Sequence, residues 1–102
     1  FARFGELYRN DGVTEGGTRL LPAGWTDEAR HRVAIDPETG FGYGRHWWLW
    51  PDLPGSLACH GYEGQFTLVV PEREAVLVHL GKTDVAAAPA LVARLRELVR
   101  CA

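Results

Sequence analysis

Two apolar segments, Phe66 to Val70 and Ala75 to Leu80, flank the polar link Pro71-Glu72-Arg73-Glu74 and constrain the fold more than any other part of the chain. Phe66, Leu68 and Val70 alternate with Thr67 and Val69, and Val76, Val78 and Leu80 alternate with Leu77 and His79. Alternation with a period of two marks β-strands, and when both sets are apolar both faces need cover. The pair is therefore expected centrally in a sheet, under a layer of helix. The last helix supplies a cover. Leu91, Val92, Leu95, Leu98 and Val99 form one stripe, Arg94, Arg96, Glu97 and Arg100 the wet face, and Pro89 falls in the first turn, where its missing N–H is not needed.

The remaining elements follow from the same periodicities. Phe1, Phe4, Leu7 and Tyr8 recur at helical spacing, and Asn10-Asp11-Gly12 ends that helix because glycine takes the left-handed C-cap conformation. After Gly16-Gly17 and a brief extended Thr18 to Leu21, Pro22 is expected to open a short second helix through about His31. Arg32 to Gly40 reads as a surface loop. Phe41-Gly42-Tyr43-Gly44 with Trp47 to Trp50 reads as an aromatic strand, Pro51 to Gly55 as a connector, and Leu57 to Pro71 as one long strand. The order predicts one α+β domain over residues 1–102, an antiparallel sheet of about three strands with N-terminal helices and a C-terminal helix packed on it.

Eleven basic against 13 acidic residues, spread along the chain, leave a formal charge of -2, which gives no footprint for nucleic acid or an anionic membrane. The apolar runs fall short of the ~20 residues that span a bilayer. Cys59 and Cys101 form no Cys-x-x-Cys pattern and are expected to be free thiols; no metal or cofactor is expected. Phe1 is not an initiator methionine and begins what already reads as a helix, so a longer parent protein is expected. Nothing here fixes a compartment.

The chemistry concentrates in Ala58-Cys59-His60-Gly61-Tyr62-Glu63-Gly64-Gln65. Glycine inside a strand pattern marks a bulge, a bend or the close approach of a ligand, so Gly61 and Gly64 are read as one wall of a substrate cleft. His60, beside Gly61, is placed to hydrogen-bond a substrate or to move a proton. Other features read as structural. Ser56-Leu57-Ala58-Cys59 has cysteine where a Ser-x-x-Lys nucleophile needs its lysine base, and Tyr8-Arg9-Asn10 sits on an amphipathic helix. Lys82-Thr83-Asp84 lacks the glycine of Lys-Thr-Gly, and His31, His46, His60 and His79 show no ligand spacing.

From Ala58 to Thr83 the sequence resembles the C-terminal end of the serine β-lactamase-like hydrolases, which include class C β-lactamases, penicillin-binding proteins, esterases and 6-aminohexanoate-dimer hydrolases. Phe1 to Gly12, Arg19 to Trp25, and Phe41-Gly42-Tyr43-Gly44 with Trp47-Trp48-Leu49 occur in that family's order. The resemblance implies a partial β-lactamase-like fold whose third active-site motif falls on Cys59-His60-Gly61. It implies that the Tyr62 main-chain N–H donates to an oxyanion hole and that Cys59, Gly61, Glu63 and Gly64 lie along the substrate, a small ester, amide or β-lactam. Cys59 replaces the motif's lysine, which favours an esterase or amidase relative. The family's Ser-x-x-Lys would precede Phe1, so the chain is expected to be inactive alone. A different reading makes it a stand-alone binding module that uses the aromatic strand and an exposed sheet edge, with self-association through such edges.

Overall fold

The computed structural model describes all 102 residues, Phe1–Ala102. Three helices, α1 (Ala2–Arg9), α2 (Trp25–Ala29) and α3 (Ala88–Cys101), pack on an open antiparallel sheet. Its strands are β1 (Ala34–Ile35), β2 (Gly42–Tyr43), β3 (Trp48–Leu49), β4 (Leu57–His60), β5 (Phe66–Val70) and β6 (Ala75–His79), paired in chain order. The architecture is α+β as expected, but the sheet has six strands rather than about three.

The additional strands come from three reversals, at Gly44–Trp47, within residues 32–40 and at Gly61–Gln65. At the first, Gly44 N–H donates to Trp47 O (2.7 Å) and the expected single aromatic strand becomes the antiparallel pair β2 and β3. Residues 32–40, expected as a loop, contain β1 and a tight reversal. There Asp36 accepts hydrogen bonds from the Glu38 amide (3.1 Å) and the Thr39 hydroxyl (2.7 Å), and Asp36 N–H donates to Phe41 O. Asp and Thr side chains stabilise such turns by mimicking backbone acceptors and donors. The segment 57–71, expected as one strand, folds back at Gly61–Gln65 into β4 and β5, in register from Leu57↔Val69 to His60↔Phe66. Gly64 has φ +87°, a conformation that favours glycine.

Both faces of β5 are covered, as its apolar alternation requires, but β6, expected to be central with it, is the edge strand and its residues are only half-buried. On one face Ala58, Phe66, Leu68 and Val70 join Trp50 and the α3 residues Leu95 and Val99 in one buried cluster. On the other, Leu57 and Val69 join Trp47 and Ala29 of α2, with Tyr8 and Val76 alongside. The second cover therefore comes from the N-terminal helices, not from α3. Helix α1 reaches the sheet through Gly5, the one buried residue of that helix: a Cβ there would lie 2.5 Å from Val76 Cγ1. Only a residue without a side chain permits that approach. As a result Phe1 and Phe4, expected in the packed stripe, are 77% and 46% exposed.

Helix α2 is shorter than expected because Pro22 lies in a preceding turn, with Trp25 N–H on Pro22 O, and Gly24 (φ 83°) is the N-cap. Its orphan donors are met from a distance. The Asp11 carboxylate accepts from Gly24 N–H (3.1 Å) and Thr26 N–H (3.5 Å), which also lowers the Asp11 pKa. In α3 only Leu95 and Val99 are fully buried and Leu98 is exposed, while Arg96, expected in solvent, pairs with Asp52 (2.7 Å) and lies over the Trp50 ring. No helix is long and apolar enough to cross a membrane.

Candidate functional site

The stretch singled out in the sequence lies at one end of β4 and in the reversal that follows it. Cys59, His60 and Gly61 line an open groove of about 600 Å³, together with Phe1, Phe4 of α1 and Thr67 of β5. Tyr62, Glu63 and Gly64 form the turn beyond it rather than a strand, so the main-chain groups of interest sit on a hairpin and not on a sheet edge.

That hairpin is fixed by an almost complete set of hydrogen bonds. Gly61 N–H donates to Gln65 O (2.7 Å) and Gly64 N–H to Gly61 O (3.3 Å). Glu63 N–H donates to Gln65 Oε1 (3.1 Å), and Glu63 O accepts from Thr83 N–H (2.7 Å). Lys82 Nζ lies 3.1 Å from the Glu63 carboxylate, and His79 Nδ1 lies 3.0 Å from Gly64 O. The Tyr62 amide takes part in none of these bonds, and its side chain is 100% exposed. The Gln65 amide is likewise without a partner, so the reversal holds two free donors, at Tyr62 next to Gly61 and at Gln65.

The two glycines have structural reasons of their own. A Cβ at Gly61 would lie 2.8 Å from Gln65 Cβ, and one at Gly64 2.9 Å from Thr83 Cβ. Both contacts are closer than real Cβ atoms tolerate, so these glycines serve the hairpin and its docking on the Lys82–Thr83 segment as much as access to the groove.

His60 stands in an aromatic enclosure. Trp48 stacks on it with centroids 5.0 Å apart and planes 7° from parallel, and Phe66 and Phe41 meet it edge-on. Trp50 Nε1–H donates to His60 Nε2 at 2.9 Å. Burial among these rings disfavours the imidazolium and lowers the pKa to about 4. His60 is therefore neutral at pH 7, with the Nε2 lone pair engaged and the ring proton on Nδ1. Proton transfer through Nε2 would first require breaking the Trp50 bond. Burial likewise raises the Cys59 pKa, which keeps the thiol protonated and a weak nucleophile.

The sequence motifs set aside as structural are dispersed. Tyr8 packs between Phe4 and Trp47, the Ser56 hydroxyl has no partner, and Lys82 is engaged with Glu63. Trp47 and Trp50 are core residues, so the aromatic strand offers little exposed platform. What the sequence reading missed is the contribution of Phe1 and Phe4 to the groove. The signal was Gly5 directly after Phe4, which moves the packed line of α1 away from the phenylalanines.

No protein-family model matches the chain, and a search of curated proteins finds no match.

Proposed function

We propose that the chain is the C-terminal part of a serine hydrolase of the β-lactamase-like kind, with a partial β-lactamase-like fold, and that it contributes one wall of the active site. The reading rests on the resemblance of residues 58–83. The observation that carries it is the Tyr62 N–H, an unpartnered amide of a hydrogen-bonded turn, adjacent to a groove lined by Cys59, His60 and Gly61. In the reaction a serine Oγ, supplied by sequence upstream of Phe1, adds to the carbonyl of an ester, amide or β-lactam. The carbonyl oxygen takes the negative charge, the serine proton passes to the lysine of the upstream Ser-x-x-Lys and from there to the leaving alcohol or amine as the C–O or C–N bond breaks, and water then releases the acyl group from serine. A donor fixed in advance stabilises that oxyanion without reorganising at the moment of reaction. His60, held by Trp50, serves this site by positioning the end of β4, and Glu63 and Gly64 by holding the turn.

The test compares the 102-residue chain with the full gene product that contains it, using a chromogenic ester and a chromogenic β-lactam. The chain alone is expected to be inactive and the full product active. Tyr62 occupies the second position of the Gly61–Gly64 turn, where proline is well tolerated, so Tyr62→Pro deletes the N–H while preserving the hairpin. It should lower kcat about 10²–10³-fold with little change in KM. An unchanged kcat in a folded Tyr62→Pro protein, or turnover by the isolated chain, overturns the proposal.

A second reading draws on the open edges of the sheet, since β1 and β6 each pair with one neighbour only. Unpaired strand edges accept further strands. Concentration-dependent dimerisation of the chain, abolished by proline in β6, would favour that reading.

A further inference from the structure

A second pocket, of about 210 Å³, lies at the other end of β4 from the groove, between β1–β3 and the Pro51–Gly55 connector. Two of its 12 lining residues are arginines, Arg30 and Arg32, and none is acidic. Arg30 is held in place: Nε donates to Gly55 O at 2.7 Å and Nη1 pairs with Asp27 at 2.7 Å, while Nη2 makes no bond within the chain. Arg32 lays its stem against Gly42, where a Cβ would come within 3.2 Å of Arg32 Cδ, and its guanidinium forms no ion pair. Ser56 completes the set. It is 2% exposed, it lines the pocket, and its hydroxyl has no hydrogen-bond partner.

A buried hydroxyl without a partner is unusual, because it loses its hydration with nothing in return. Ser56 lines the same pocket as Arg30 and Arg32, Asp27 is the only carboxylate paired to either arginine, and an acceptor group bound in that pocket would supply the missing partner. Guanidinium presents a planar fork of donors that matches a carboxylate or phosphate, and a hydroxyl adds one more donor. The volume is several times the ~30 Å³ share of one water in the liquid. We infer that this pocket binds a small oxyanion, the carboxylate or phosphoryl group of a small molecule, through Arg30, Arg32 and Ser56. The site is separate from the groove and does not depend on the hydrolase reading.

The experiment is an NMR titration of the ¹⁵N-labelled chain with inorganic phosphate and, separately, acetate, at constant ionic strength made up with chloride. Saturable shifts are expected at the Gly55, Ser56 and Arg32 amides and at Arg30 Nε. Saturation by phosphate alone assigns a phosphoryl ligand, and by acetate alone a carboxylate. Arg32→Gln and Ser56→Ala should each weaken binding roughly tenfold, the loss of one good charge-assisted or buried hydrogen bond. Ser56→Ala removes an unpaired buried group and so should not lower the melting temperature, which separates loss of binding from loss of fold. Shifts that grow linearly without saturating, or an affinity unchanged in both variants, overturn the inference.

Discussion

The two halves of the sheet are built on different terms. In β4–β6 every residue of β5 is buried, two helical layers press on it, and the strands pair over four and five residues. In β1–β3 each strand has two residues, β1 is exposed, and order depends on turns, on glycines and on aromatic rings reaching across, as where Tyr43 meets Trp48 edge-on at 4.9 Å. The first half is held by burial and the second by local geometry. The groove lies at the outer end of the first, and the arginine pocket lies against the second, where more polar groups remain open.

Truncation in the buried half should have the largest effect. Leu68→Ala, at a fully buried position between β4 and β6 and under α3, is expected to lower stability by about 2–5 kcal/mol in chemical denaturation. A loss below about 1 kcal/mol would mean that the α3 layer is not packed as described.

Acid should act where the halves meet, at His60, which β4 carries and Trp48 of β3 covers. Its folded pKa of about 4 lies below the ordinary 6.5, so between those values the unfolded chain binds the proton and the folded chain does not. Stability should therefore fall as pH drops from about 6.5 to about 4, by as much as about 3 kcal/mol, and level off below. His60→Gln retains an acceptor for Trp50 and does not titrate, so it should flatten that slope; an unchanged slope would move the origin elsewhere. The lowered pKa values of Glu6, next to Arg9, and of Asp36, next to Thr39, act in a more acidic range.

The smallest effect is expected in the locally held half. Ile35→Ala, at an exposed position on the edge strand, should change stability by less than about 1 kcal/mol. A loss as large as that of Leu68→Ala would erase the distinction between the halves.

Legibility followed the same division. β5, β6 and α3 were readable because Phe66, Leu68, Val70, Leu95 and Val99 each have one environment that satisfies them, and their spacing states which face it is on. The count of strands was not readable. Two-residue strands carry no periodicity, and the reversal within Leu57 to Pro71, marked by Gly61, Glu63, Gly64 and Gln65, reads equally as an interruption of one strand. Within the candidate site, the importance of Cys59 to Gly64 was visible as a glycine-punctuated break in a strand pattern. The neutral, Trp50-bound state of His60 was not, since it depends on rings that β2, β3 and β5 deliver from distant positions.

The sequence by itself determined that the Phe66–Val70 strand would need cover on both faces in an α+β layer structure, because exposing either apolar face to water is too unfavourable for a chain of this size. Only the tertiary structure decided which segments cover those faces, that Gly5 brings α1 against Val76 while Phe1 and Phe4 stay partly exposed, and that the Tyr62 amide is left free while Gly61 and Glu63 on either side are paired. These are outcomes of distance between residues remote in the chain, and side-chain pattern encodes the need for a partner without naming it.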